Sequence, residues 1–238
     1  MSIAVTKPPK IKFCGLTNLD DAVAAADAGA WAIGMVFWPR SARRCRLDAA
    51  AEIAAALKRR LEIVGVFVNA TLDEVARTAD AIGLTMLQLH GDEGPSFCAE
   101  AARRTGCRVI KAARVRSGAD IQALASFHTD FHLLDSYVPG APGGTGETFS
   151  WEIARARRRT VPVILSGGLT PDNVADAISV VAPYAVDVAS GVELGPGRKD
   201  VAKLHAFAAA VACGGQADAA QAQAGAPDGA PAHAGGTR

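Results

Sequence analysis

The chain has 238 residues, 50% of them hydrophobic and 21% charged, with a formal net charge of +1. That composition supports a sizeable core, and its scattered basic residues form no continuous face with interleaved aromatics, which excludes a largely disordered chain and argues against a nucleic-acid partner. The cysteines Cys14, Cys45, Cys98, Cys107 and Cys213 are odd in number and never spaced C-x-x-C, and no leader-like or membrane-length apolar run occurs. A soluble protein of a reducing cytoplasm, without disulfides, zinc or membrane contact, is therefore expected.

A polar lead-in, residues 1–9, precedes the first strand, "KIKFC" (10–14), which ends in a cysteine where strand gives way to loop. The helix pattern "LDDAVAAADAG" follows, then the strand "WAIGMVF" (31–37) and a loop holding Arg43. "LDAAAEIAAALKRR" reads as a helix, "EIVGVFV" (62–68) as a strand leading to Asn69, and "TLDEVARTADAIG" as a helix. The strand "TMLQLH" (85–90) ends at His90, "CRVIKAA" (107–113) carries Lys111 near its end, and "DFHLLD" (130–135) closes on Asp135. Each strand is rich in β-branched or aromatic residues and stops at a turn signal.

A long glycine-rich loop, "SYVPGAPGGTGETFSW", comes next, then "SWEIARARRR", a helix with a narrow apolar face, and the strand "VPVILSG" (161–167). In "TPDNVADAISVV" the residues Val174, Ile178 and Val181 fall at i, i+4, i+7, with Thr170 expected as N-cap and Pro171 at the first helical position. The strand "YAVDVAS" (184–190) and the helix "DVAKLHAFAAAVA" complete the series. From Cys213 onward the chain is almost entirely Ala, Gly, Pro, Gln and Asp, too poor in apolar surface to offset its ordering entropy, so 213–238 is expected to be a disordered tail.

Eight strand–helix units recur every ~20 to ~30 residues, and strict alternation implies parallel strands. With no early G-x-G-x-x-G, the pattern favours an α/β fold consisting of a single (β/α)8 TIM barrel over residues 10–212, rather than a doubly wound open sheet.

Active sites of such barrels lie at the C-terminal ends of the strands. "ILSGGLTPDNV" sets two glycines before a helix, and "VDVASGVE" sets Ser190 and Gly191 after the next strand. Glycines let backbone N–H groups approach an anion, and these two loops form the phosphate site of many barrels; tight turns alone would account for either loop separately. Asp135 reads as a catalytic carboxylate or as a cap for the next loop. Cys14 reads as a small hydrophobe closing a core layer or as a thiol facing a ligand. A glycine-rich loop as long as the one after Asp135 is more often functional than idle, and would fold over a ligand.

The ordered series "KFCGLT", "GMVFWPRSARR", "VGVFVN", "LQLHGDE", "LLDS", "GGTGETFSW", "LSGGLTPDNV", "VDVASGVE" and "PGRKD" resembles the phosphoribosylanthranilate isomerase family of tryptophan biosynthesis. The likeness runs from about Lys10 to Phe207. It departs from the family's pattern at Phe13, Glu147, Ser150 and Ala189, none of which is a catalytic position. The resemblance implies an Amadori rearrangement of N-(5-phosphoribosyl)anthranilate, with no cofactor and no metal. It implies Asp135 as general acid, which must hold a proton, and Cys14 as general base, which must lose one. It further implies Arg43 against the anthranilate carboxylate, Gly167, Gly168, Ser190 and Gly191 around the phosphate, and His90 and Asp187 beside the substrate. The partner is then a small phosphosugar, and the chain a monomer or homodimer.

Three other readings compete. The histidine-pathway isomerase shares the fold and the chemistry but uses aspartate at the position of Cys14. Ribulose-phosphate epimerases need histidine and aspartate metal ligands that do not assemble here. A non-catalytic phosphosugar-binding barrel would have no need of Cys14, Asp135 and Arg43 together.

Overall fold

The computed structural model describes residues 7–135, 151–155 and 161–224. The long glycine-rich loop with Glu147 and Ser150, the end of the sixth helix pattern and the last residues of the tail lie outside them.

Eight parallel strands close into a barrel in chain order: β1 (Lys10–Cys14), β2 (Ala32–Val36), β3 (Glu62–Phe67), β4 (Met86–Leu89), β5 (Arg108–Arg114), β6 (Phe131–Asp135), β7 (Val163–Ser166) and β8 (Ala185–Val188). Every expected strand is present. The helices α1 (Leu19–Asp27), α2 (Leu47–Leu57), α3 (Leu72–Ile82), α4 (Pro95–Thr105), α5 (Gly118–Ala123), α6 (Trp151–Arg155), α7 (Val174–Val181) and α8 (Val201–Ala224) alternate with them. A short antiparallel ribbon, β9 (Glu193–Gly195) and β10 (Arg198–Lys199), lies between β8 and α8. No helix among the described residues is long and apolar enough to cross a membrane.

Helix α3 shows how sequence sets these elements. Val75, Ala79 and Ile82 recur at i, i+4, i+7 and are the buried face. Thr71 caps the N-terminus: its hydroxyl accepts from the Glu74 N–H at 3.3 Å, and Glu74 accepts the Thr71 N–H at 2.8 Å. Such a cap contributes about 1 kcal/mol. Gly83 ends the helix at φ +73°, a conformation that a β-carbon would strain.

Two expectations are revised. Helix α7 begins at Val174 with Asn173 before it, not at Pro171, because the Asn173 side chain turns back to accept the Thr170 N–H at 2.8 Å and holds 170–173 as a turn. Helix α8 continues past Cys213 to Ala224, since a run of alanine and glutamine keeps strong helix propensity where an apolar face is lacking.

The core has two layers. Outside the barrel wall, Phe13, Ile33, Ile63, Leu87, Leu134, Leu165 and Val186 pack against the helices. Inside, Ala32, Val64, Met86, Ile110, Phe131, Leu133, Ile164 and Ala185 fill the lumen. Each fully buried Leu, Ile or Phe contributes roughly 1.5–3 kcal/mol. The N-terminal end of the lumen is closed by Trp31, Phe131 and Tyr184, whose ring centroids lie 5.2 to 5.6 Å apart, with Lys10 over the first and last. At the other end the inward positions turn polar, and there the site begins.

Candidate active site

Cys14 ends β1, buried, its α-carbon in register with Gly34 on β2. Two residues earlier on the same inward face, Lys12 is fully buried and in register with Asp187 on β8. Its Nζ donates to Asp187 Oδ1 at 2.7 Å, while the Ser166 hydroxyl donates to Asp187 Oδ2 at 3.0 Å. Both oxygens of Asp187 are thus engaged within the barrel wall. Burial works against the Lys12 ammonium, but Asp187 and Cys14 outweigh it and the group is held above its usual value. Burial pushes the Cys14 thiol up, with Lys12 the largest influence opposing it.

Lys199 of β10 reaches the same place from above, donating to the Cys14 carbonyl at 2.6 Å, the Ala189 carbonyl at 3.1 Å and Glu193 Oε1 at 3.0 Å. Glu193 also accepts a fork from Arg43, with Nε at 3.0 Å from each oxygen and Nη2 at 2.8 Å from Oε2. Burial works against the Glu193 carboxylate, but Arg43 and Lys199 outweigh it and hold the carboxyl below its usual value. The arrangement fixes the plane of the Arg43 guanidinium and leaves its side chain 30% exposed toward the mouth.

Asp135 ends β6, with its side chain 18% exposed. His90, just past β4, places Nε2 at 3.2 Å from Asp135 Oδ2, and its Nδ1 lies 2.9 Å from the buried amide nitrogen of Gln88. With the Gln88 amide donating to Nδ1, the imidazole carries its proton on Nε2 and donates to Asp135. The Gln88 Oε1 has no hydrogen-bond partner among the described residues.

The loops after β7 and β8 pack together. Gly167 and Gly168 have φ of +93° and +63°, conformations open to glycine, and Asn173 Nδ2 donates to the Gly168 carbonyl at 3.0 Å. Gly191 lies so close to the Leu169 carbonyl that any β-carbon there would collide with it. The two loops therefore form one surface beside the mouth, with Ser190 at its edge.

The profile of the N-(5'-phosphoribosyl)anthranilate (PRA) isomerase family matches residues 11–210. This chain belongs to that family. It is 50% identical over 196 residues to the N-(5'-phosphoribosyl)anthranilate isomerase of Citrifermentans bemidjiense, covering 82% of this chain and 93% of that one. The crystal structure of phosphoribosyl anthranilate isomerase from Thermotoga maritima superposes with a TM-score of 0.78 at 40% identity, covering 85% of this chain and 98% of the other. A third relative was solved in complex with reduced 1-(o-carboxyphenylamino)-1-deoxyribulose 5-phosphate (TM-score 0.74, 38% identity, 85% and 98% coverage). The Thermotoga maritima enzyme is dimeric.

Within this PRA isomerase barrel, Cys14, Arg43, His90 and Asp135 gather at one end, with the loops of Gly167, Gly168, Ser190 and Gly191 on its rim. Asn69 and Lys111, also at strand ends, are engaged elsewhere. Lys111 binds the Gly91 carbonyl at 2.7 Å and Glu93 at 3.0 Å, and Glu93 accepts the Asn69 N–H at 2.7 Å, which ties down the loop after β4. Sequence reasoning passed over Lys12, Gln88, Glu193 and Lys199. The first two carried a signal, a polar residue at inward spacing inside an apolar strand; the pairing of Glu193 with Arg43 carried none. Beside the mouth, a cleft of about 1140 Å³ lined by Phe37, Trp38, Arg40 and Arg44 opens outside the face of Cys14 and Asp135.

Proposed function

We propose that Cys14 is the general base and Asp135 the general acid of the Amadori rearrangement carried out by this isomerase of tryptophan biosynthesis. N-(5-phosphoribosyl)anthranilate becomes 1-(2-carboxyphenylamino)-1-deoxyribulose 5-phosphate. Asp135 protonates the ring oxygen as the furanose opens, leaving a Schiff base at C1. Cys14 then takes the C2 proton, and the enolamine tautomerises to the ketone. Each transfer is worth roughly 10²–10⁴-fold.

The observation that supports this most directly is the placement of Cys14 and Asp135 at the ends of β1 and β6, on different walls of one mouth. Because Oδ2 of Asp135 accepts from His90, Oδ1 is the oxygen left to carry the proton. Arg43, oriented by Glu193, would meet the anthranilate carboxylate. Backbone N–H groups at Gly167, Gly168, Ser190 and Gly191 would hold the phosphate. His90 would touch the substrate beside Asp135, and Asp187 would form the floor beneath Cys14. A cytoplasmic location is supported by five unpaired cysteines.

Turnover is read as loss of the substrate's anthranilate fluorescence. Asp135→Asn and Cys14→Ser are each expected to lose at least about 10²-fold in kcat while melting near wild type and still binding product. A folded variant within about tenfold of wild-type kcat removes that residue from its role.

A further inference from the structure

We propose that Lys12 is a positioning residue for Cys14: its buried ammonium, pinned by Asp187 in a slot that exists because residue 34 is glycine, makes the thiolate of Cys14 accessible in a dry site. This rests on Cys14 being the base.

The slot is visible at Gly34. A β-carbon built there would stand 2.8 Å from Cys14 Sγ, 3.0 Å from Lys12 Nζ and 3.3 Å from Lys12 Cε. The sulfur and the ammonium therefore converge on the volume that a side chain would occupy. Strand register produces this arrangement: Gly34 stands opposite Cys14 and Asp187 opposite Lys12.

Charge points the same way. Facing the sulfur from β1 is Lys12, from β8 Asp187, and from β10 Lys199; Glu193 of β9 and Arg43 of the loop after β2 complete the cluster. Asp21 of α1 is turned to the backbone N–H of Lys199 at 2.8 Å, and β2 contributes no charge. Among the described residues, three cations thus meet two carboxylates. The cluster has one positive charge in excess with a thiol and is balanced with a thiolate. Burial pushes the thiol up, and Lys12 is the largest influence opposing it.

In the reaction the thiolate sulfur forms S–H as C2–H breaks. The C–H electron pair becomes the C1=C2 bond, and the Schiff-base nitrogen takes the pair it displaces. Lys12 keeps its proton throughout.

The test is the pH dependence of Cys14 alkylation by iodoacetamide, followed by mass spectrometry of the Cys14 peptide without substrate. Lys12→Met/Asp187→Asn removes both charges of the pair, so that no carboxylate is left buried alone. Its alkylation midpoint should move up by about one pH unit or more, with about tenfold slower reaction below it. Asp187→Asn alone removes the anion and keeps the cation, so its midpoint should move down. Opposite shifts are the signature; a merely structural pair would shift both variants alike or neither. An unmoved midpoint in the folded double variant, or an upward shift in Asp187→Asn, overturns the proposal. Should the double variant not fold, the direction in Asp187→Asn decides. Because no turnover is measured, the result is independent of whether Cys14→Ser retains activity.

Discussion

On the β8–β1–β2 side of the mouth, Cys14 is 7% exposed and sits among Lys12, Lys199 and Arg43. On the β4–β6 side, the Asp135 side chain is 18% exposed and, among the described residues, meets the His90 imidazole. Both residues end a strand of the same barrel, so backbone geometry does not distinguish them. Their surroundings do. In the proposed roles, a base that must give up a proton in a dry place needs fixed positive charge close by, because a cation offsets the desolvation of the thiolate. An acid that must reload its proton every cycle needs a path to water more than it needs a charge. The fold supplies the same scaffold to both and leaves the difference to side chains one residue-pair below the rim.

The sharpest way to break this contrast is to fill the slot. Gly34→Ala puts a methyl group against Cys14 Sγ and Lys12 Nζ, and kcat/KM should fall by roughly 10²-fold, since a displacement near 1 Å is enough for that. Thermal melting should change far less; normal kcat/KM in a folded variant would show that the slot tolerates a side chain.

A smaller effect is expected at Glu193, which ties Arg43 and Lys199 together. Its carboxyl lies below the ordinary 4.5 in the fold, so its stabilising contribution is complete above that pH. The contribution is lost as pH falls through the depressed folded value. Glu193→Gln should cost roughly 2 kcal/mol near neutrality, the worth of charge-assisted hydrogen bonds, and should flatten the acid limb of Tm against pH. An acid limb as steep as wild type would mean that other carboxylates carry it.

The smallest change belongs to the acid side. Gln88→Leu removes the donor that sets the His90 tautomer, and kcat should drop about fivefold, as for one neutral hydrogen bond. A pH profile of kcat that stays superimposable on wild type would argue that His90 keeps its tautomer unaided.

How much of this could be read beforehand follows from where each signal lies along the chain. β-Branched runs with turn signals marked all eight strands, because burial on both faces demands continuous apolar sequence. Cys14 and Asp135 stood out because a polar residue closing such a run is conspicuous. Lys12 was equally conspicuous, a lysine inside "KIKFC" at inward spacing from the cysteine, yet its partner lies 175 residues away and only register brings them together. Arg43 and Glu193 are 150 residues apart and meet through loops whose course no periodicity encodes. Helix α7 starts at Val174 rather than at Pro171 because Asn173, rather than Thr170, uses its side chain to turn the chain.

The lumen below Cys14 is filled by buried side chains and closed at its base by Trp31, Phe131 and Tyr184. With Cys14 as the proposed base, a hydrogen taken from C2 would be held in a blind pocket while the enolamine forms beside it, and the next atom of the sugar to need a hydrogen is C1. The pocket should have an isotopic memory. Deuterium placed at C2 of the substrate is expected to reappear in part at C1 of the product in ordinary water, as detected by mass spectrometry. Complete washout would show that the sulfur trades its hydrogen with solvent within a turnover.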